Sequence, residues 1–169
     1  MPQLRNQESN FKGTIGKTLN DSEPWFELPQ HPGEDAPNIV VVLLDDTGFA
    51  QLGCYGSSIG TENIDNLAAD GLQFTNFHVT PLCSPTRASL LTGRSQHAVG
   101  MRSVSNFRTG FPHMLGHITN EAATMAEIFQ AEGYATFCAG KWHLAPMENC
   151  SSAGPFDQWP LGRGFDRFY

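Results

Sequence analysis

The sequence predicts an α/β fold with a mostly parallel sheet flanked by helices, and three features carry that expectation. Ile39-Val40-Val41-Val42-Leu43-Leu44 is a continuous aliphatic run without alternation, the pattern of a strand covered on both faces of a parallel sheet. Tyr134 to Ala139 (YATFCA) reads as a second buried strand far along the chain. Between them lie segments with helical start and stop residues, and strands alternating with helices belong to α/β architectures.

Taken in order, residues 1–36 are polar and rich in Asn, Gln, Gly and Pro, with one apolar patch at Trp25, Phe26 and Leu28. They read as an N-terminal extension lying on a surface, with Trp25 and Phe26 docking it. Order is expected from Pro37. The first strand, 39–44, stops at Asp45-Asp46-Thr47-Gly48. Ile64 to Ala69 reads as a short helix, with Asn63 as N-cap, Gly71 beyond its end, and Ile64, Leu67 and Ala68 on one face. Gln73 to Val79 alternates and predicts a strand. Pro81 to Gly93 predicts a turn and then a helix, on which Leu90 and Leu91 bury the face opposite Cys83.

Residues 95–120 mix Gly, Ser, Asn and His without a period and read as loop. His97, Arg102, Arg108, His113 and His117 there are candidates for a pocket lining, but solvated surface is the plainer reading. Met101 and Phe107 read as loop packing. Ala122 to Ala131 predicts a helix ending at Gly133, followed by the second strand, 134–139, and Gly140-Lys141-Trp142-His143. Residues 144–169 carry Pro146, Gly154, Pro155, Pro160, Gly162 and Gly164 and read as loop, stopping in mid-loop on exposed Phe168 and Tyr169 as though cut off.

The chain has 169 residues, of which 40% are hydrophobic and 16% charged, enough for one core of single-domain size. Lys and Arg number 10 against 17 Asp and Glu, for a formal net charge of -7. Such a chain repels the phosphates of nucleic acid and of anionic lipid, so neither partner is expected, and any anion site must be built from local cations. Cys54, Cys83, Cys138 and Cys150 show no C-x-x-C spacing, which argues against a disulfide framework or structural zinc. Cys54 and Cys138 read as buried, inert thiols. Met1 to Thr14 lacks the apolar stretch of a secretory signal, and no run approaches the ~18 residues of a membrane span. A cytoplasmic setting is the expectation.

Three constellations carry chemistry. Asp45 and Asp46 end the first buried strand, at the sheet edge where ligands bind in open α/β folds. Two adjacent carboxylates there suit a hard cation such as Ca²⁺ or Mg²⁺, though taken alone a simple turn is the plainer reading. Cys83 falls at the start of a helix, where free N–H groups favour an anion, and Arg87 lies one turn along the same face. A buried thiol beside a structural arginine is the competing reading. Lys141 and His143, two residues apart on an extended segment, point to one side while Trp142 packs away. Lys supplies a positive charge there and His a donor or proton carrier near neutral pH.

At these residues the chain resembles a known family. Pro81-Leu82-Cys83-Ser84-Pro85-Thr86-Arg87 followed by Leu90-Leu91-Thr92-Gly93 is similar to the type I sulfatase signature, C-x-P-x-R with its helical tail. Gly133-Tyr134-Ala135-Thr136 through Gly140-Lys141-Trp142-His143 is similar to the second signature of the same family. Asp45-Asp46 stands where the family has its first two metal ligands. The resemblance runs from about Pro37 to Tyr169 and looks closest to the N-terminal portion of large bacterial arylsulfatases.

It implies an alkaline-phosphatase-like fold of which 37–169 is the N-terminal part. It also implies conversion of Cys83 to formylglycine by a maturation enzyme, the hydrated aldehyde then attacking the sulfur of a small-molecule sulfate ester. In that picture Arg87 holds the hydrate, Lys141 the sulfate oxygens, and His143 the formylglycine hydroxyl or the sulfate. Asp45, Asp46 and the oxygen of modified Cys83 bind Ca²⁺. The family's second metal pair and its later His and Lys have no counterpart here, and Glu62 stands where the family usually has Pro. The expectation is a sulfuric ester hydrolase, incomplete and inactive as this chain alone. One alternative is a phosphonate or phosphate monoester hydrolase of the same superfamily; another is a truncated, non-catalytic gene product.

Overall fold

In the computed structural model, which describes residues 11–26, 28 and 30–169, helix ends fall where capping chemistry is strongest. Part of the N-terminal extension (residues 1–10, Glu27 and Pro29) lies outside the described residues. Helix α1 spans Glu62–Asp70. Its N-cap is Thr61 and not Asn63, the Thr61 carbonyl accepting from Asp65 N–H at 2.9 Å. Asp65 in turn accepts from the Cys54 amide and the Thr61 hydroxyl, tying α1 to the 3-10 turn Gly53–Tyr55. Ile64 and Ala68 are half-buried, but Leu67 is 74% exposed, because nothing among the described residues packs over that part of the face.

Helix α2 spans Cys83–Thr92, entered from an extended Leu82 and closed by Gly93 at φ 63, whose N–H reaches the Ser89 carbonyl at 2.8 Å. Ser84, Pro85 and Ala88 are buried. Leu91 packs against the core as expected, whereas Leu90 faces outward. Helix α3 spans Met125–Ala131. It starts three residues later than its apolar pattern suggests, because Thr124 and Glu127 form a capping box. The Thr124 hydroxyl accepts from Glu127 N–H at 3.1 Å and the Glu127 carboxylate accepts from Thr124 N–H at 2.6 Å.

The strands depart most from expectation. Of 134–139, only β1, Phe137–Cys138, is in a ladder; it pairs in parallel with β2, Arg167–Phe168. Phe137 is 64% exposed, so this strand is not covered on both faces. Phe168 and Tyr169 are exposed as expected, but the segment is not loop: β2 sits beside β1, Tyr169 N–H donates to the Cys138 carbonyl at 3.0 Å, and Phe168 stacks edge-on against Trp159. The 39–44 run is extended but unpaired, and each of its residues is exposed, Val40 at 84% and Val42 at 76%. A strand of that composition needs neighbours on both sides, and among the described residues none forms a ladder with it. A groove of about 1340 Å³ separates it from β1, lined by Ile39, Val41, Leu43, Phe129, Tyr134 and Phe137 among others. Among the described residues Gln73–Val79 forms no ladder either, and Phe74 and Phe77 are exposed.

The core lies instead where sequence periodicity is weakest. Ala88, Val99, Met101, Ile118, Ala122 and Leu144 form one buried cluster, with Leu91 and Trp142 packed against it. Val99, Met101 and Ile118 come from the aperiodic 95–120 segment, so that segment is centre and not surface covering. Arg163, 3% exposed, anchors the far side: it donates to the carbonyls of Ile118 and Ala122 and to Glu127. In the extension, Trp25 packs edge-on against Phe11 with Lys12 over its ring, and Phe26 is 80% exposed. Trp25 therefore holds the extension to itself, and Phe26 docks on nothing among the described residues. Cys54 and Cys138 are half-buried, not fully buried as expected; all four cysteines are free. Among the described residues no helix is long and apolar enough to cross a membrane.

Candidate active site

Cys83 is the first residue of α2, half-buried, with its Sγ 3.2 Å from Nδ1 of His143. Arg87 lies one turn further along. Its Nη1 donates to the Lys141 carbonyl at 2.6 Å and its Nη2 to Oδ1 of Asp45 at 3.1 Å. Lys141 Nζ donates to Oδ2 of Asp45 at 2.8 Å. The end of the 39–44 run is thereby clamped to the segment after β1 by two ion pairs on one carboxylate. Arg87 Nε is buried and has no acceptor among the described residues. A buried N–H left unpaired is costly, and nothing among the described residues offsets that cost here.

His143 is held tightly for a residue on an irregular segment. Its backbone is left-handed, φ 54, a conformation uncommon for residues other than glycine. Two buried hydroxyls satisfy its carbonyl: Ser84 Oγ and Ser105 Oγ each donate at 2.6 Å. The ring is bracketed by Cys83 at Nδ1 and by Asn106 Oδ1 at Nε2, 2.7 Å away. Trp142 turns to the other side, packing on the core and donating from Nε1 to the Gln158 carbonyl. The alternation expected for 141–143 is therefore what the structure holds.

The charges shift one another. Hydrogen bonds from Lys141, then Arg87, hold the Asp45 carboxyl below the usual aspartate range. The Asp45 hydrogen bond raises the Lys141 ammonium in turn. Burial, and then the nearby Lys141 and Arg87 cations, push the His143 imidazole down, which keeps it neutral near pH 7.

Asp46 is exposed beside Asp45, also at φ 54. The oxygen donors here are of the type a hard cation takes, but their number falls short. Calcium takes about six to eight oxygens, both oxygens of Asp45 are engaged by cations, and among the described residues no group of three or more His, Cys, Asp or Glu could hold a metal.

The structure thus brings Asp45, Cys83, Arg87, Lys141 and His143 together. The loop candidates make contacts elsewhere. His113, at φ 66, has its ring against the His97 carbonyl; Arg108 pairs with Glu148; and the His117 imidazole, pushed down by burial, faces the Leu115 carbonyl. The residues of that segment that do reach the site, Ser105 and Asn106, carry no spacing signal, since Ser and Asn in an aperiodic stretch read as turn chemistry. Ser84 lies inside the Cys83–Arg87 motif, where nothing about its spacing sets it apart.

The model of the family described as Sulfatase matches residues 37–169. Human arylsulfatase A is 45% identical over 138 residues, covering 78% of this chain and 24% of that protein. Human steryl-sulfatase is 41% identical over 138 residues, covering 79% and 23%. A solved structure titled "Crystal structure of Ps i-CgsB" superposes with a TM-score of 0.60 at 33% identity, covering 73% of this chain and 25% of that one. The chain spans about a quarter of the length of these relatives. By sequence and by fold, it belongs to the sulfatase family.

Proposed function

We propose that this chain carries the nucleophile side of a sulfuric ester hydrolase, with residue 83 acting after conversion of Cys83 to formylglycine. The observation that supports the reading most is the convergence at the start of α2: Cys83 Sγ lies 3.2 Å from a ring nitrogen of His143, with Arg87 and Lys141 at hand. In a chain of net charge -7, that pair of cations is a local positive field suited to an anionic ester.

In this reading a hydroxyl of the residue-83 hydrate attacks sulfur and the alcohol leaves. Loss of a proton from the second hydroxyl then expels sulfate and restores the aldehyde. His143 Nδ1 faces the reacting atom and takes the proton. Arg87, one turn along α2 from residue 83, offers its positive charge to the hydrate, and Lys141 offers its ammonium to the sulfate oxygens. Asp45 and Asp46, with the residue-83 oxygen, would hold Ca²⁺, which when bound supplies positive charge beside the ester; the remaining oxygens of its shell must come from other ligands.

The test is turnover of an aryl sulfate and of the matching phosphate monoester by the protein made in its source cell. Sulfate turnover well above phosphate turnover, lost in Cys83→Ala, is expected. Undiminished sulfate turnover in Cys83→Ala ends the reading, and a preference for phosphate replaces it with a phosphomonoesterase.

A further inference from the structure

We infer that Asn106 is a positioning residue that sets the tautomer of His143, so that the ring offers residue 83 a lone pair and not an N–H. The catalytic meaning of this rests on the function proposed above; the geometry does not. Three contacts define His143. Its carbonyl is fixed by the hydroxyls of Ser84 and Ser105, which are 0% and 1% exposed. These two serines are themselves joined, Ser105 N–H donating to Ser84 Oγ at 3.3 Å. The backbone is thereby locked in its left-handed conformation, and only rotation of the side chain remains free.

The ring is then caught on two sides. A neutral imidazole has one N–H and one lone pair. The Asn106 carbonyl oxygen, 2.7 Å from Nε2, can only accept, so it places the proton on Nε2. Nδ1, facing Cys83 Sγ at 3.2 Å, is left bare and accepts from whatever hydroxyl or thiol residue 83 carries. With the opposite tautomer Nδ1 would donate, and His143 could not take a proton from the nucleophile.

Ser105 and Asn106 act on different parts of the histidine. The buried hydroxyl fixes the main chain, and the exposed amide selects the proton position. Because Asn106 is exposed, replacing it removes the ring contact without emptying the core. Thr or Ser at that position would restore an acceptor only at shorter reach.

Long-range ¹H–¹⁵N correlation spectra of the histidine rings test the idea directly. They are recorded on this chain at a pH where imidazole is neutral, with His143 assigned by its loss in His143→Gln. The wild type should show a protonated Nε2 and a bare Nδ1. A protonated Nδ1 in the wild type overturns the inference without any variant. In Asn106→Leu the two ring nitrogens should move toward a common averaged position, and an unchanged spectrum overturns it as well. Neither outcome depends on turnover, so failure of the proposed hydrolase reading is seen separately, in the Cys83→Ala assay.

Discussion

Ser84 and Ser105 have no chemistry of their own in this site, yet they meet at the carbonyl of His143 and hold it in a left-handed backbone. Removing either hydroxyl leaves one fewer donor on a buried acceptor. Ser105→Ala should therefore lower unfolding free energy by about 1–2 kcal/mol, read from the denaturant midpoint. It should also loosen His143 more than Asn106→Leu loosens the fold. The residues that react were legible in the sequence, because Cys83 and Arg87 share a helix face and Lys141 and His143 share a strand-end face. The residues that hold them were not, since Ser105 and Asn106 come from a segment with no period and act through single contacts. At the same scale, Asp45 and Asp166 contribute to the chain's response to acid. Cations hold the first below the usual aspartate range; the Thr136 amide, then Gln130, does so for the second. A carboxyl whose folded pKa is depressed stabilises the fold above the unfolded value, about 3.9. That contribution is lost as pH falls through the lower folded value. Stability against denaturant should thus hold steady down to about pH 4 and decline below it, and the Asp166→Asn variant should show a shallower decline.

Among elements, the helices follow local rules and the strands do not. α2 and α3 have their ends set by residues within or beside them, Gly93 for one and the Thr124–Glu127 box for the other, so sequence places them within a few residues. Thr124→Ala removes one half of that box and the hydroxyl bond to the Arg163 carbonyl. A loss of about 1–2 kcal/mol is expected from thermal or denaturant unfolding. Arg163 is the larger tie, a buried cation joining α3 to the carbonyls of Ile118 and Ala122. Arg163→Ala strands those acceptors and should cost about 3 kcal/mol or more. Strands, by contrast, take their pairing from distant chain. Ile39–Leu44 has the composition of a central strand, but composition names a need for neighbours and cannot supply them. The same physics explains β1, where only Phe137 and Cys138 find a partner in Arg167 and Phe168.

For the whole molecule, the consequence is an extensive apolar surface. Val40, Val42, Leu72, Phe74, Phe77 and Phe137 are each at least 60% exposed. An unpaired extended run among them is a template for pairing with another chain. This chain, made by itself, should self-associate in a concentration-dependent way in sedimentation velocity, and the paired substitutions Val40→Lys and Val42→Lys should reduce it. A single monomeric boundary for the unsubstituted chain at all concentrations would count against that view. The α/β class and the parallel sense of pairing were legible at this scale, and the position of the core was not. The buried cluster is built from Val99, Met101 and Ile118, whose neighbours in sequence give no repeating pattern to read.

The proposed chemistry stands or falls on the identity of residue 83, and one measurement addresses it. Protein purified from its source cell is digested, and the peptide spanning Cys83 is weighed before and after reaction with a hydrazide. An aldehyde at residue 83 is expected, revealed by a mass below that of cysteine and by capture on the hydrazide. A peptide carrying only the thiol, from a preparation that nevertheless hydrolyses sulfate esters, would contradict it.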